Sequence, residues 1–236
     1  MRARSKLALT RAPVKVLCFD EPWEGAFCGY VTVLADGEKY RMYYRGLPAA
    51  GKDGSEAEVT CYAESPDGIH WEKPALGLFE VRGTRKNNVI LHGSAPASHN
   101  FSPFLDTRPG VPASERFKAL AGTQESGLLA FVSADGVRWR RIEDKPVFTK
   151  GAFDSQNVAF WSEAEGRYVC YFRTWSAGDY AGFRTVSRTT SPDFRGWSDP
   201  VAMDFGKTPA EHLYTNQTHP YFRAPHIYIA IPMRFR

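Results

Sequence analysis

The chain has 236 residues, 43% of them hydrophobic and 14% aromatic, which is enough apolar material for a large core and too much for wholesale disorder. Thirty basic residues against 26 acidic ones leave a net charge of +4, too weak and too dispersed for a nucleic-acid-binding surface. No apolar run approaches the roughly 18 residues of a membrane span, so neither nucleic acid nor membrane is expected as a partner.

The first residues, Met1 to Arg11, are basic, but Leu7-Ala8-Leu9 is too short for a secretory core segment, and localisation stays open between cytoplasm and secretion. Val14 to Cys18 reads as a short strand awaiting a partner from outside its own unit. Strands are then predicted at Gly29–Val33, Lys39–Tyr44 and Val59–Glu64, joined by the tight turn Ala35-Asp36-Gly37 and the loop Gly46–Ala57. The turn Ser65-Pro66-Asp67-Gly68 follows, and Trp71 opens a fourth strand. Gly83 to His99 is expected to connect one unit to the next.

The same order returns twice. Strands at Phe101–Leu105, Arg116–Ala121 and Leu128–Val132 lead to Ser133-Ala134-Asp135-Gly136 and Trp139. Strands at Asn157–Trp161, Arg167–Phe172 and Phe183–Arg188 lead to Ser191-Pro192-Asp193-Phe194 and Trp197. The three tryptophans are 68 and 58 residues apart. A fourth unit begins at Tyr214–Phe222 and continues through His226–Met233. Ser and Asp side chains bond nearby backbone amides, and Gly accepts positive φ, so each repeat carries a hairpin corner. Four short antiparallel strands per unit imply an all-β propeller. The blades are expected at about 24–74, 99–146 and 153–200, with the start of a fourth at about 211–236. Three and a half blades cannot close a ring, so the propeller is read as truncated. The four cysteines lack CxxC spacing, and Cys28, Cys61 and Cys170 fall in or beside predicted strands, as buried free thiols do.

In such a fold the first strand of each blade lines the central channel. The segments entering those strands are unusually polar: Trp23-Glu24, His99-Asn100, Asp154-Ser155-Gln156-Asn157, and Glu211-His212-Leu213-Tyr214 running on to His219. Cleaving a glycosidic bond takes two carboxyl groups flanking the bond, with a third group to tune them. Glu24, Asp154 and Glu211 are the predicted catalytic acids. His99, Asn100, Gln156, Asn157, His212, Tyr214, His219 and Trp23 are the predicted substrate contacts. Asp106, beside Thr107 and Arg108, reads as a structural turn. Three histidines without regular spacing do not make a metal motif, and neither a metal nor a cofactor is expected.

The blade pattern, with Tyr43-Tyr44-Arg45-Gly46 and then Tyr62 through Pro74, resembles the five-bladed propeller glycosidases, the arabinanase, invertase and levansucrase group (glycoside hydrolase families 43, 32 and relatives). The resemblance spans roughly residues 20 to 236. It implies three acidic residues in the funnel: a nucleophile or base, a stabilising Asp, and a Glu as general acid. Phe153 to Trp161 is similar to the strand carrying the stabiliser, although Ser155 stands where that group commonly has Pro. By position, Asp154 would then stabilise, Glu211 would be the acid and Glu24 the base or nucleophile. The implied function is a glycoside hydrolase acting on an oligo- or polysaccharide. A non-catalytic carbohydrate-binding propeller stays open beside it. So does a sialidase-like one, because the Ser-x-Asp turns are similar to sialidase Asp boxes.

Overall fold

Alternation of side chains across each strand decides the architecture. In the β2 strand Tyr40–Gly46, Met42 and Tyr44 enter one buried cluster with Trp23, while Tyr43 enters another with Phe101 and Phe131. In the β10 strand Arg167–Trp175, Tyr168, Cys170 and Phe172 face one cluster, and Val169 and Tyr171 face the next. Sheets buried on both faces by neighbouring sheets form a stack. The computed structural model, which describes residues 15–178 and 180–234, shows that stack.

The first sheet orders β1 (Gly29–Ala35), β2, β3 (Val59–Ser65) and β4 (Val89–Leu91). The second orders β5 (Ser102–Leu105), β6 (Phe117–Thr123), β7 (Gly127–Ser133) and β8 (Arg140–Arg141). The third runs from β9 (Val158–Ser162) through β10 and β11 (Arg184–Ser191) to β12 (Val201–Ala202). All pairings are antiparallel. Two ribbons follow: β13 (Leu213–Tyr214) with β16 (Met233–Arg234), and β14 (His219–Tyr221) with β15 (Ala224–Ile229). Each blade's first strand touches the next blade's first strand, in the order β1, β5, β9, β14. The chain is an all-β propeller of three four-stranded blades and part of a fourth.

Two expectations need correction. The first blade's outer strand is Val89–Leu91, inside the stretch read as a connection, and Trp71 is followed only by a single bridge between Glu72 and Glu64. The sheet therefore extends past residue 74. Of the strand expected at 14–18, Val14 lies outside the described residues, and Lys15–Cys18 forms no strand, although Leu17 packs against the first-blade core.

The repeated corner is nearly identical in all three blades. Ser65, Ser133 and Ser191 accept through Oγ from the amide three residues on, each at 2.9 Å. Asp67, Asp135 and Asp193 accept through Oδ1 from two later amides at 2.7–2.9 Å. Gly68 and Gly136 supply left-handed φ values of 77° and 72°, and their carbonyls accept from the Trp71 and Trp139 indoles. Phe194 takes the same place at φ 68°, a strained conformation for a bulky residue. Its ring is fully buried in the core between the second and third blades, which offsets the strain.

Candidate functional site

Parts of the segments that enter the inner strands meet near the axis. Tyr30, at φ 51°, turns its hydroxyl to the Asp154 carbonyl at 3.0 Å and to the Tyr214 hydroxyl at 2.6 Å. Gln156 donates to the Thr32 hydroxyl at 3.0 Å and the Val31 carbonyl at 3.2 Å, and its own carbonyl accepts from Gln217. These bonds join the first, third and fourth units directly. Asn100 reaches from the second blade to the third: its Nδ2 donates to the Ser155 and Phe153 carbonyls, and also to Gly122 O at 2.8 Å. Asn157 donates to Phe153 O at 3.1 Å and Ser155 O at 3.0 Å. Asn100, Gln156 and Asn157 are all buried; the first two of these predicted substrate contacts tie one unit to another, and Asn157 fixes the strand entry of its own blade.

Asp154 is the acid at this hub. Its carboxyl is 26% exposed and lies 2.5 Å from Nη2 of Arg173, a buried residue of β10. The Arg173 guanidinium sits 5.2 Å from the Trp175 ring and 5.9 Å from Tyr214. Burial raises the Asp154 carboxyl above the usual carboxylate range, even against the opposing pull of Arg173. A cleft of about 410 Å³ opens beside it, lined among others by Asp53, Glu125 and Tyr180. Tyr180 is 62% exposed and packs on Trp175 at 5.6 Å, which gives the cleft an accessible aromatic face.

Against the same hub stands a buried charged group. Glu58, fully buried at the entry to β3, accepts from the Gly54 amide at 3.1 Å and lies 2.9 Å from His99 Nδ1. Arg45 lies 3.6 Å from Glu58 and packs over the Tyr30 ring at 4.8 Å. His99 is buried in the turn ahead of β5, with its ring edge-on to Tyr30 at 5.3 Å.

The other predicted acids do not join Asp154. Glu24 is fully buried within the first blade. It accepts from Tyr44 Oη at 2.5 Å, Lys73 Nζ at 2.7 Å and the Glu21 amide at 2.9 Å. Every one of these partners belongs to that blade, so the expected funnel position for Glu24 is replaced by a structural ion pair. Trp23 beside it is buried, with its indole bonded to Asn88 at 2.8 Å, leaving no face for a sugar. Glu211 forms a surface ion pair with Arg234 and lines a different cleft, of about 640 Å³, with Phe183, Phe205 and Pro209. That cleft and the Asp154 cleft share no lining residue. His212 accepts from the Arg184 amide at 3.1 Å and packs on Phe183. His219 lies exposed at the start of β14, beside Phe160. Asp106 makes its expected turn bond to the Arg108 amide and in addition pairs with the buried Lys118 at 2.9 Å.

Sequence reasoning missed Asp53, Glu58, Tyr30 and Tyr180. The one available signal was Glu58, a charge set directly before the buried β3 strand. The others sit in a loop or a strand entry whose direction only the assembled blades reveal.

No family model matches the sequence, and no curated protein matches it significantly. Solved structures do match the fold. A glycoside hydrolase aligns with TM-score 0.52 at 13% identity, over 81% of this chain and 62% of its own. An N-acetylgalactosamine deacetylase from F. plautii aligns with TM-score 0.51 at 15% identity, over 84% and 60%. A fructofuranosidase from Schwanniomyces occidentalis aligns with TM-score 0.54 at 15% identity, over 90% of this chain and 42% of its own. At these identities the likeness establishes the propeller fold. The chain spans about three fifths of the length of the first two.

Proposed function

We propose that the chain is the main part of a carbohydrate-active propeller of the glycoside hydrolase kind, binding a glycan in the cleft beside the axis with Asp154 as one of its reacting carboxyl groups. One observation carries this reading: Asp154 is a partly exposed acid, raised by burial, at the point where the first, third and fourth units meet. A carboxyl group poised in this way keeps its proton to higher pH than a surface acid and serves either acid chemistry or the steadying of developing positive charge. Asp53, which lines the same cleft, is a source of a second carboxylate. Glu24 and Glu211 are not carried forward in that role, because the first is saturated inside its blade and the second is paired with Arg234 in a separate cleft. The exposed Tyr180 face supplies a stacking surface for a sugar ring.

The test is turnover of a panel of aryl glycosides and oligosaccharides by the full-length protein and by Asp154→Asn. Glycan binding that persists in the variant while hydrolysis falls by a hundredfold or more supports a catalytic Asp154. Hydrolysis unchanged in the variant rejects it. Binding without hydrolysis in the wild type selects the non-catalytic sugar-binding reading.

A further inference from the structure

Behind the cleft, His99 has a buried ring nitrogen with no hydrogen-bond partner among the described residues. Its Nδ1 lies 2.9 Å from Glu58 Oε1, 3.1 Å from Arg45 Nη1 and 3.3 Å from the Gly54 amide. An ionised carboxylate only accepts hydrogen bonds. Arg45 and the Gly54 amide can only donate and Glu58 can only accept, so the three contacts divide between two tautomers; the shortest, to Glu58, is made by the one with its proton on Nδ1, in which Arg45 turns to the carboxylate 3.6 Å away. The other ring nitrogen, Nε2, is then an acceptor. It is buried, in a residue only 1% exposed, and has no hydrogen-bond partner among the described residues. A buried polar atom left unpaired is costly, and it is the usual mark of something missing from the site. What faces it is an acid: Asp53 Oδ2 lies 4.0 Å away. One ligand atom from each of Asp53, Glu58 and His99 falls within 4.8 Å of the others.

We propose that His99 Nε2 and Asp53 bind a divalent transition-metal ion of the zinc class at the inner edge of the cleft, with Glu58 holding the imidazole in the binding tautomer. A carboxylate behind a ligating histidine is the arrangement that fixes the ring and raises its basicity. Two ligands about 2.1 Å from a tetrahedral ion stand about 3.4 Å apart. The 4.0 Å gap between Nε2 and Oδ2 closes to that value with a shift of Asp53, whose side chain is 67% exposed and sits in the Gly46–Ala57 loop. Imidazole nitrogen beside carboxylate oxygen selects zinc or its spectroscopic stand-in cobalt over magnesium and calcium, which favour all-oxygen shells. Asp53 also lines the cleft that contains Asp154, which places the ion beside that cleft. The ion needs no exchange of electrons. Its binding displaces only the solvent on Asp53 and any proton on Nε2.

The experiment is titration of the chelator-treated full chain with Zn²⁺ by calorimetry, and with Co²⁺ by visible absorption. These readouts do not depend on turnover, so they stand or fall apart from the hydrolase reading. One zinc per chain is expected, at least tenfold weaker in Asp53→Asn, about 10–100-fold weaker in Glu58→Gln, and lost in His99→Ala together with the histidine-dependent Co²⁺ band. Asp53→Asn alters an exposed side chain and keeps the test valid if the buried variants fail to fold. Absence of stoichiometric zinc binding, zinc binding unaltered in Asp53→Asn, or calcium binding as tightly as zinc would each overturn the assignment.

Discussion

Replacing Glu24 with alanine should unfold the protein more readily rather than merely silence it. The carboxylate is fully buried and takes hydrogen bonds from Tyr44, Lys73 and the Glu21 amide. Removing one member of a buried ion pair costs about 3–5 kcal/mol, because the other charge is left uncompensated. Here Lys73 keeps Asp20 at 3.0 Å, and its side chain is 13% exposed, so the low end applies, about 3 kcal/mol. Tyr44 also keeps one partner, since its hydroxyl accepts from Asn88 at 2.8 Å. For a chain of this size each kcal/mol moves the midpoint by roughly 2–4 °C, giving a fall in Tm of about 9 °C. Glu24→Gln retains an acceptor for Tyr44 and should lose about half as much, ~1.5 kcal/mol. Adding Lys73→Met to Glu24→Ala removes the stranded cation and should recover at least half of the loss. Urea denaturation with an unchanged m-value reads all three. Glu24→Ala within 1 kcal/mol of the wild type, or a double variant no better than the single one, would refute the ion-pair argument (a threshold set by the roughly 3 kcal/mol expected).

Two further outcomes follow from the geometry. Burial alone would raise the Asp36 carboxyl, but the Lys39 and Glu38 amides and Arg41 outweigh it and hold the group down at about 2. A depressed carboxyl stabilises the fold above its unfolded value near 4, and that contribution disappears as pH falls through the folded value. Asp36→Asn should therefore be less stable than the wild type by about 2 kcal/mol at neutral pH, with the gap narrowing between about pH 4 and pH 2. Parallel stability curves across that window would contradict it. At the cleft, Tyr180→Ala should raise KM for a bound glycan by about fivefold, equivalent to ~1 kcal/mol of lost stacking, with kcat little changed. Steady-state kinetics on the best substrate of the panel decide this, and a KM within a factor of two of the wild type counts against Tyr180 as a stacking face.

The strands were legible because alternation is written directly into segments such as Lys39–Tyr44 and Arg167–Phe172, and because Ser-x-Asp corners punctuate them at nearly regular intervals. The outer strand of the first blade was not, since Val89–Leu91 is only three residues long and its place depends on a partner strand far back in the chain. The hub was legible as a run of polar residues entering the inner strands, and Asp154, His99 and Gln156 do meet there. Their individual roles were not. Asn100 and Asn157 look like ligand contacts until their amides are seen to be consumed by the carbonyls of residues 153 and 155. Glu24 looks like an exposed acid until Lys73, 49 residues later, arrives beside it. Burial of a charge is settled by its partner, and the sequence separates the two.

The contrast between the corners and the axis bears on the order in which the molecule comes together. Each Ser-Asp clip closes over seven residues or fewer, so little chain entropy opposes it and every blade can nucleate on its own. The bonds of Tyr30 to Asp154 and to Tyr214 span 124 and 184 positions and wait until the sheets are already aligned. Assembly accordingly ends at the hub beside Asp154, which is expected to be the last part fixed and the first to open when the fold loosens.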